Sequence, residues 1–166
     1  MASVTMPLLK PAGEGDVLEV GGDLFTFKGR DGDGIGSLFI ELVCPPGGGP
    51  PAHTDPSEEL FYVLEGDFEF LVPGAEGTSY RASAGDSFIV PKRAPHTYRN
   101  VGGGNGRMIV FFRDGEHMQP FFEELGDPVE DPGSWTSSWP PSLERAMAAA
   151  QRHGIEPVLP EGEVGQ

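Results

Sequence analysis

ELFYVLEGDFEFLV, residues 59–72, is the stretch on which the fold turns. Strand-forming residues flank Gly66-Asp67, a two-residue glycine turn, so the reading is a β-hairpin. Side chains alternate along a strand, which puts Glu59, Phe61 and Val63 on one face. Pairing across the turn then sets Phe70 and Val72 beside them, and a carboxylate shares its face with four apolar side chains.

The same texture runs outward in both directions. Short apolar or alternating runs cut by Gly and Pro cover Val17–Val20, Leu24–Lys28, Ile35–Cys44, Ser87–Val90, His96–Asn100 and Arg107–Arg113. Together with the hairpin they make about eight strands, the pattern of a sandwich or barrel. The 25 Gly and 17 Pro in 166 residues are about twice average usage and favour tight turns over long helices. That length fits one domain. Residues 1–16 read as a flexible lead-in, 17–113 as the barrel and 114–166 as a C-terminal extension with one or two helices. In the extension, EHMQPFFEELG predicts a short helix, and LERAMAAAQRH a better one, capped by Ser142 and stopped by Gly154. Phe121, Phe122, Trp135 and Trp139 give this segment more aromatic area than a solvated tail carries, so it is expected to pack on the barrel.

A formal charge of -15 repels phosphate backbones and anionic headgroups, which excludes nucleic acid and membrane surfaces as general partners. The opening MASVTMPLLKPAGEGD lacks a basic region followed by an apolar one, and no run approaches the ~18 apolar residues of a membrane span. The expectation is a cytoplasmic protein whose partner is a small molecule. The lone Cys44 has no cysteine to pair with and reads as a small core residue.

Two of the four histidines carry the chemistry. His53 and Asp55 stand at i and i+2, on one face in extended conformation, and Glu59 opens the next strand after a turn at Pro56. One imidazole and two carboxylates can therefore converge, and His96 brought alongside completes a set suited to Fe or Mn. His117 and His153 have no such spacing and are expected to lie outside the site. The glycines and prolines of PPGGGPP lack the Lys-Ser or Lys-Thr of a phosphate loop and read as a stiff turn delivering His53. Phe61, Val63, Phe70, Tyr98 and Phe112 read as barrel core and as walls of a substrate pocket, two roles that an inner barrel face combines.

The segment resembles the cupins. Their first motif, G-x(5)-H-x-H-x(3,4)-E-x(6)-G, falls on Gly47, His53, Asp55, Glu59 and Gly66, with aspartate in place of the second histidine. Their second, G-x(5)-P-x-G-x(2)-H-x(3)-N, falls on Gly85, Pro91, Arg93, His96 and Asn100, with arginine in place of the internal glycine. The resemblance covers about residues 35–113. It implies an all-β fold, the double-stranded β-helix or jelly-roll barrel, with one divalent metal per chain (Fe, Mn, Co, Ni or Zn, with Fe or Mn favoured). By matched position His53, Glu59 and His96 are the implied ligands. Asp55 binds directly, through water, or only orients a ligand; Pro56 restricts it to extended backbone, which favours the direct bond.

Small cupins of this type also imply a homodimer, here through the outward Leu60, Tyr62 and Leu64. The quercetinase-like members imply a dioxygenase acting on a phenolic, enolic or polyketide-like molecule, with Glu59 as a base whose proton affinity is raised by its apolar wall. The alternatives are a non-redox metal-dependent cyclase, isomerase or dehydratase of natural-product metabolism, and a barrel that only binds its ligand. No helix-turn-helix pattern precedes Leu38, so a DNA-reading module is not expected.

Overall fold

A computed structural model describes residues 6–74 and 78–159. The ends of the expected lead-in and extension, residues 1–5 and 160–166, lie outside the described residues. Among the described residues ten strands precede the first α-helix: β1 Asp16–Val20, β2 Asp23–Gly29, β3 Leu38–Cys44, β4 His53–Thr54, β5 Glu59–Glu65, β6 Phe68–Val72, β7 Thr78–Ala82, β8 Ser87–Val90, β9 Thr97–Asn100 and β10 Gly106–Phe112. They are followed by α1 Gly115–Leu125, β11 Asp127–Pro128, α2 Leu143–His153 and β12 Glu156–Pro157. One sheet runs β11-β1-β2-β3-β10-β5-β8, a second β7-β6-β9, and β12 pairs with β4. Every pair is antiparallel. The fold is the all-β jelly roll with a short helical extension.

Period-two alternation makes the core. Leu38, Ile40, Leu42 and Cys44 of β3 are buried, as are Met108, Val110 and Phe112 of β10, and from the other sheet Phe68 and Phe70 face them. The expected hairpin of β5 and β6 does not form. The chain turns at Gly66 and leaves one sheet for the other, β5 pairing with β10 and β8 while β6 pairs with β7 and β9. Phe61 and Phe70 still meet, at 5.3 Å between ring centroids, but across the barrel interior. Both strands do bury one alternating face; that face is satisfied equally by a neighbour in the same sheet or by the opposite sheet, and closing the barrel requires the second. Three further expectations shift: the run 35–44 forms a strand only from Leu38, β7 is an additional strand, and β4 is a two-residue strand.

Two devices place the mouth of the barrel. Gly49 has φ +137°, and a Cβ there would stand 1.9 Å from the Tyr98 carbonyl oxygen, so only glycine permits the loop to lie on β9. That loop is sewn down by Gly47 N–H to the Asn100 carbonyl (2.9 Å) and Asn100 N–H to the Gly48 carbonyl (3.0 Å). The buried Asn100 side chain finishes the work, donating to the Cys44 and Gly104 carbonyls at 2.8 Å each and accepting from Gly102 N–H.

The extension lies on the barrel: Met118, Phe122, Ala150 and Ile155 belong to the same buried cluster as Phe25 and Leu42. Its Trp135 indole donates to Glu19 of β1, and Arg145 holds Asp127 at 2.8 Å. At the other end of the chain, Lys28 donates to the Pro11 and Glu14 carbonyls. Among the described residues no helix is long and apolar enough to cross a membrane.

Candidate metal centre

β4 is extended, so His53 and Asp55 project the same way. Asp55 Oδ1 then accepts from Ser57 N–H at 3.0 Å, an Asx turn that swings the chain into β5 and its first residue, Glu59. His96 is fixed by its backbone: His53 N–H donates to the His96 carbonyl at 3.1 Å and His96 N–H to the His53 carbonyl at 3.0 Å. The two imidazole centroids are 4.6 Å apart. One ligand-type atom from each of His53, Asp55, Glu59 and His96 lies within 4.8 Å of the other three.

The imidazoles are presented in ligand form. His53 Nδ1 bonds the Pro51 carbonyl at 2.8 Å and His96 Nδ1 the Ala94 carbonyl at 3.0 Å. A carbonyl only accepts, so both Nδ1 atoms carry the proton and both Nε2 lone pairs face the cluster. There His96 Nε2 lies 3.2 Å from Glu59 Oε1, and His53 Nε2 3.8 Å from Asp55 Oδ2. Burial lowers the basicity of both rings, which keeps them neutral. Burial raises both carboxyls, and for Asp55 the adjoining Glu59 adds to the effect. Two buried carboxylates side by side need either a proton or a cation between them.

The residues fit a divalent ion. Asp55 Oδ2 and Glu59 Oε1 are buried without a hydrogen-bond partner. Two carboxylates and two neutral imidazoles balance a charge of two, and a mixed nitrogen and oxygen set suits a first-row divalent metal.

The cluster forms part of the wall of a cavity of about 150 Å³. Phe61, Tyr98 and Phe112 line it; Val63 and Phe70 are fully buried and do not. Val63 sits four residues along β5 from Glu59, roughly 13 Å away at strand rise, deep in the barrel. Phe70 is stacked on Phe88 at 4.4 Å. His117 stands beside Glu116, and His153 bonds Glu124 of α1, both away from the cluster.

Asp23 was not legible as a site neighbour. Buried at the start of β2, it accepts from the Tyr98 hydroxyl at 2.7 Å, and its Oδ1 has no partner. The one signal in the sequence was an acid opening an otherwise apolar alternating strand, Asp23–Gly29. Burial pushes its carboxyl from 3.8 up to about 7, with the Tyr98 hydrogen bond opposing. A proton held more tightly by the folded chain stabilises it at low pH; this contribution is complete below pH 3.8 and lost as pH rises through about 7. Asp23→Asn keeps an acceptor for Tyr98 and is expected to flatten the fall in stability over that window. Urea titrations at several pH values measure it, and an unaltered slope would assign the titration elsewhere.

Residues 41–112 match the family model described as "Cupin domain". No curated protein matches the chain in sequence. Among solved structures, the chain is similar to an RmlC-like cupin from Shewanella frigidimarina NCIMB 400, at 24% identity and TM-score 0.53 over 64% of this chain and 90% of that one. It is similar to KdgF from Halomonas sp., at 18% and 0.57 over 68% and 99%. It is also similar to the polyketide cyclase RemF from Streptomyces resistomycificus, at 20% and 0.51 over 84% and 88%. At these identities the likenesses speak to fold alone. Motif spacing, barrel topology and family match agree on a cupin domain over residues 41–112.

Proposed function

We propose that the protein is a metal-dependent enzyme acting on a small phenolic, enolic or polyketide-like molecule, in the first instance a dioxygenase. The observation that carries this reading is a set of two imidazoles and two carboxylates, all but His53 buried, on the wall of a cavity whose other lining side chains are apolar save Tyr98. His53, Asp55, Glu59 and His96 would hold the ion, which when bound supplies Lewis-acid or redox chemistry at a substrate oxygen. Fe or Mn is the proposed metal.

The chain's own residues do the rest. Glu59 acts as the base: its buried carboxylate, beside Phe61 on the cavity wall, accepts a substrate hydroxyl proton. Phe61 and Phe112 exclude water from the substrate. The second reading, a non-redox cyclisation or dehydration, is supported by the fold likeness to a polyketide cyclase, which extends past the barrel over 84% of this chain. Elemental analysis of protein purified without added metal, followed by O2 uptake with phenols and β-diketones, separates the two. O2 consumption is expected; substrate turnover without it would select the second reading.

The proposal includes a homodimer. On the outer face of the larger sheet, Phe39 pairs with Phe111, Phe111 with Leu60 and Leu60 with Ile89, and Tyr62 and Leu64 extend the patch. Ile89 is 70% and Tyr62 45% exposed, more apolar surface than a solvated sheet carries. Sedimentation at micromolar concentration is expected to give twice the chain mass, and Leu60→Lys to shift it to the monomer; a monomeric wild type would remove the dimer from the proposal.

A further inference from the structure

The cupin match ends at residue 112, yet much of the cavity is built by the two helices beyond it. From α2 come Leu143, Ala146, Met147 and Ala150, and from α1 Met118 and Phe122. The α2 positions are i, i+3, i+4 and i+7, one stripe of the helix, while Glu144, Arg145, Gln151 and Arg152 face solvent. Leu143 and Met147 line the cavity and are nevertheless 59% and 42% exposed, so they stand where it opens to water. Behind them Ala146 and Ala150 are too small to fill it.

The helix is held firmly in that place. Ser142 caps its N-terminus, and Gly154, at φ 72°, ends it. Arg93 donates to the Gly154 carbonyl at 2.7 Å, and β12 then pairs Pro157 with His53 itself. Apart from the four residues of the metal cluster, the only polar side chain on the cavity wall among the described residues is Tyr98. A cavity of about 150 Å³ takes a benzene-sized group.

We infer that α2 is the specificity wall of the pocket. It selects a single-ring aryl compound whose two adjacent oxygens meet the His53–Asp55–Glu59–His96 cluster while the bare ring lies on Ala146, Met147 and Ala150. This rests on the metal reading above and adds the size and shape of the substrate to it. Fused-ring compounds require Leu143 and Met147 to move aside.

Two hydroxamates with the same chelating head test it. Calorimetry on the Zn(II)-loaded protein is expected to give benzohydroxamate at least about tenfold tighter than acetohydroxamate, from burial of the phenyl ring. Ala146→Phe is expected to erase that preference, lowering the ratio of benzohydroxamate to acetohydroxamate affinity to about one. The second arm needs no metal: toluene added to the metal-free wild type is expected to shift the Met118 and Met147 methyl resonances and leave the exposed Met6 in place. A ring preference that survives in folded Ala146→Phe, or a Met147 methyl that toluene does not move, would overturn the wall. If acetohydroxamate fails to bind the Zn(II)-loaded protein, the metal reading falls, and the two-oxygen substrate with it, while the toluene arm still decides whether α2 walls a ring-sized site.

Discussion

Protein carrying His53→Ala together with His96→Ala is expected to purify with background metal content. Each imidazole offers an Nε2 whose partner nitrogen is fixed by a backbone carbonyl, and the backbones of the two residues are bonded to each other. Removing both leaves Asp55 and Glu59, a carboxylate pair that shares one proton as readily as one cation. Losses of supporting hydrogen bonds alone lower metal affinity roughly 10- to 100-fold, so losing two ligands should exceed that range. Asp55→Ala is expected to fall within it, since Oδ1 is occupied by the Ser57 turn and only Oδ2 faces the cluster. Elemental analysis against the wild type reads both, and wild-type metal in the double variant would place the ion elsewhere.

Phe122→Ala should be the most damaging single change outside the barrel, at about 3–5 kcal/mol. The ring lies edge-on to Phe25 at 5.0 Å and against Phe112 at 5.3 Å, closing the apolar side of the mouth. For a chain of this size the melting temperature should drop by roughly 10 °C. Deleting everything after Arg113 exposes the same surface and removes Met118 and Ile155 as well, so the truncated barrel is expected to aggregate. Thermal melts of the point variant and recovery of the truncation in soluble form measure the effect; an unchanged melt would mean that the extension only rests on the barrel.

Much of this was legible because burial imposes a period. β3, β5 and β10 bury alternate residues, and α2 announces itself with Ser142 and Gly154. The four cluster residues were readable from spacing because an extended segment and one turn leave little freedom between His53 and Glu59. Three things were not. β7, Thr78–Ala82, buries none of its side chains fully, so its sequence carries no apolar alternation. β12 is two residues long, Glu156 and Pro157, and exists because β4 is there to receive it. The partner of β5 was assigned to the nearest strand in sequence, whereas barrel closure selects β10 and β8. Arg93 is the opposite case, a motif departure that the structure explains. It keeps the left-handed backbone of the usual glycine, φ 63°, at a cost of about 1–2 kcal/mol, and in exchange its guanidinium reaches the Gly154 carbonyl.

The pairing of β12 on β4 ties together events that a barrel could have kept apart. Pro157 is in register with His53, His53 with His96, and Val158 N–H reaches the Ala52 carbonyl at 2.9 Å. A fluctuation that peels the C-terminal strand away also frees one edge of the segment presenting an imidazole. Amide exchange at Val158, His53 and His96 then reports one cooperative opening. With a substrate and an ion bound as proposed, the rate at which a bulky molecule gains access and the rate at which the ion escapes would be two readings of the same motion, so that tightening one slows the other.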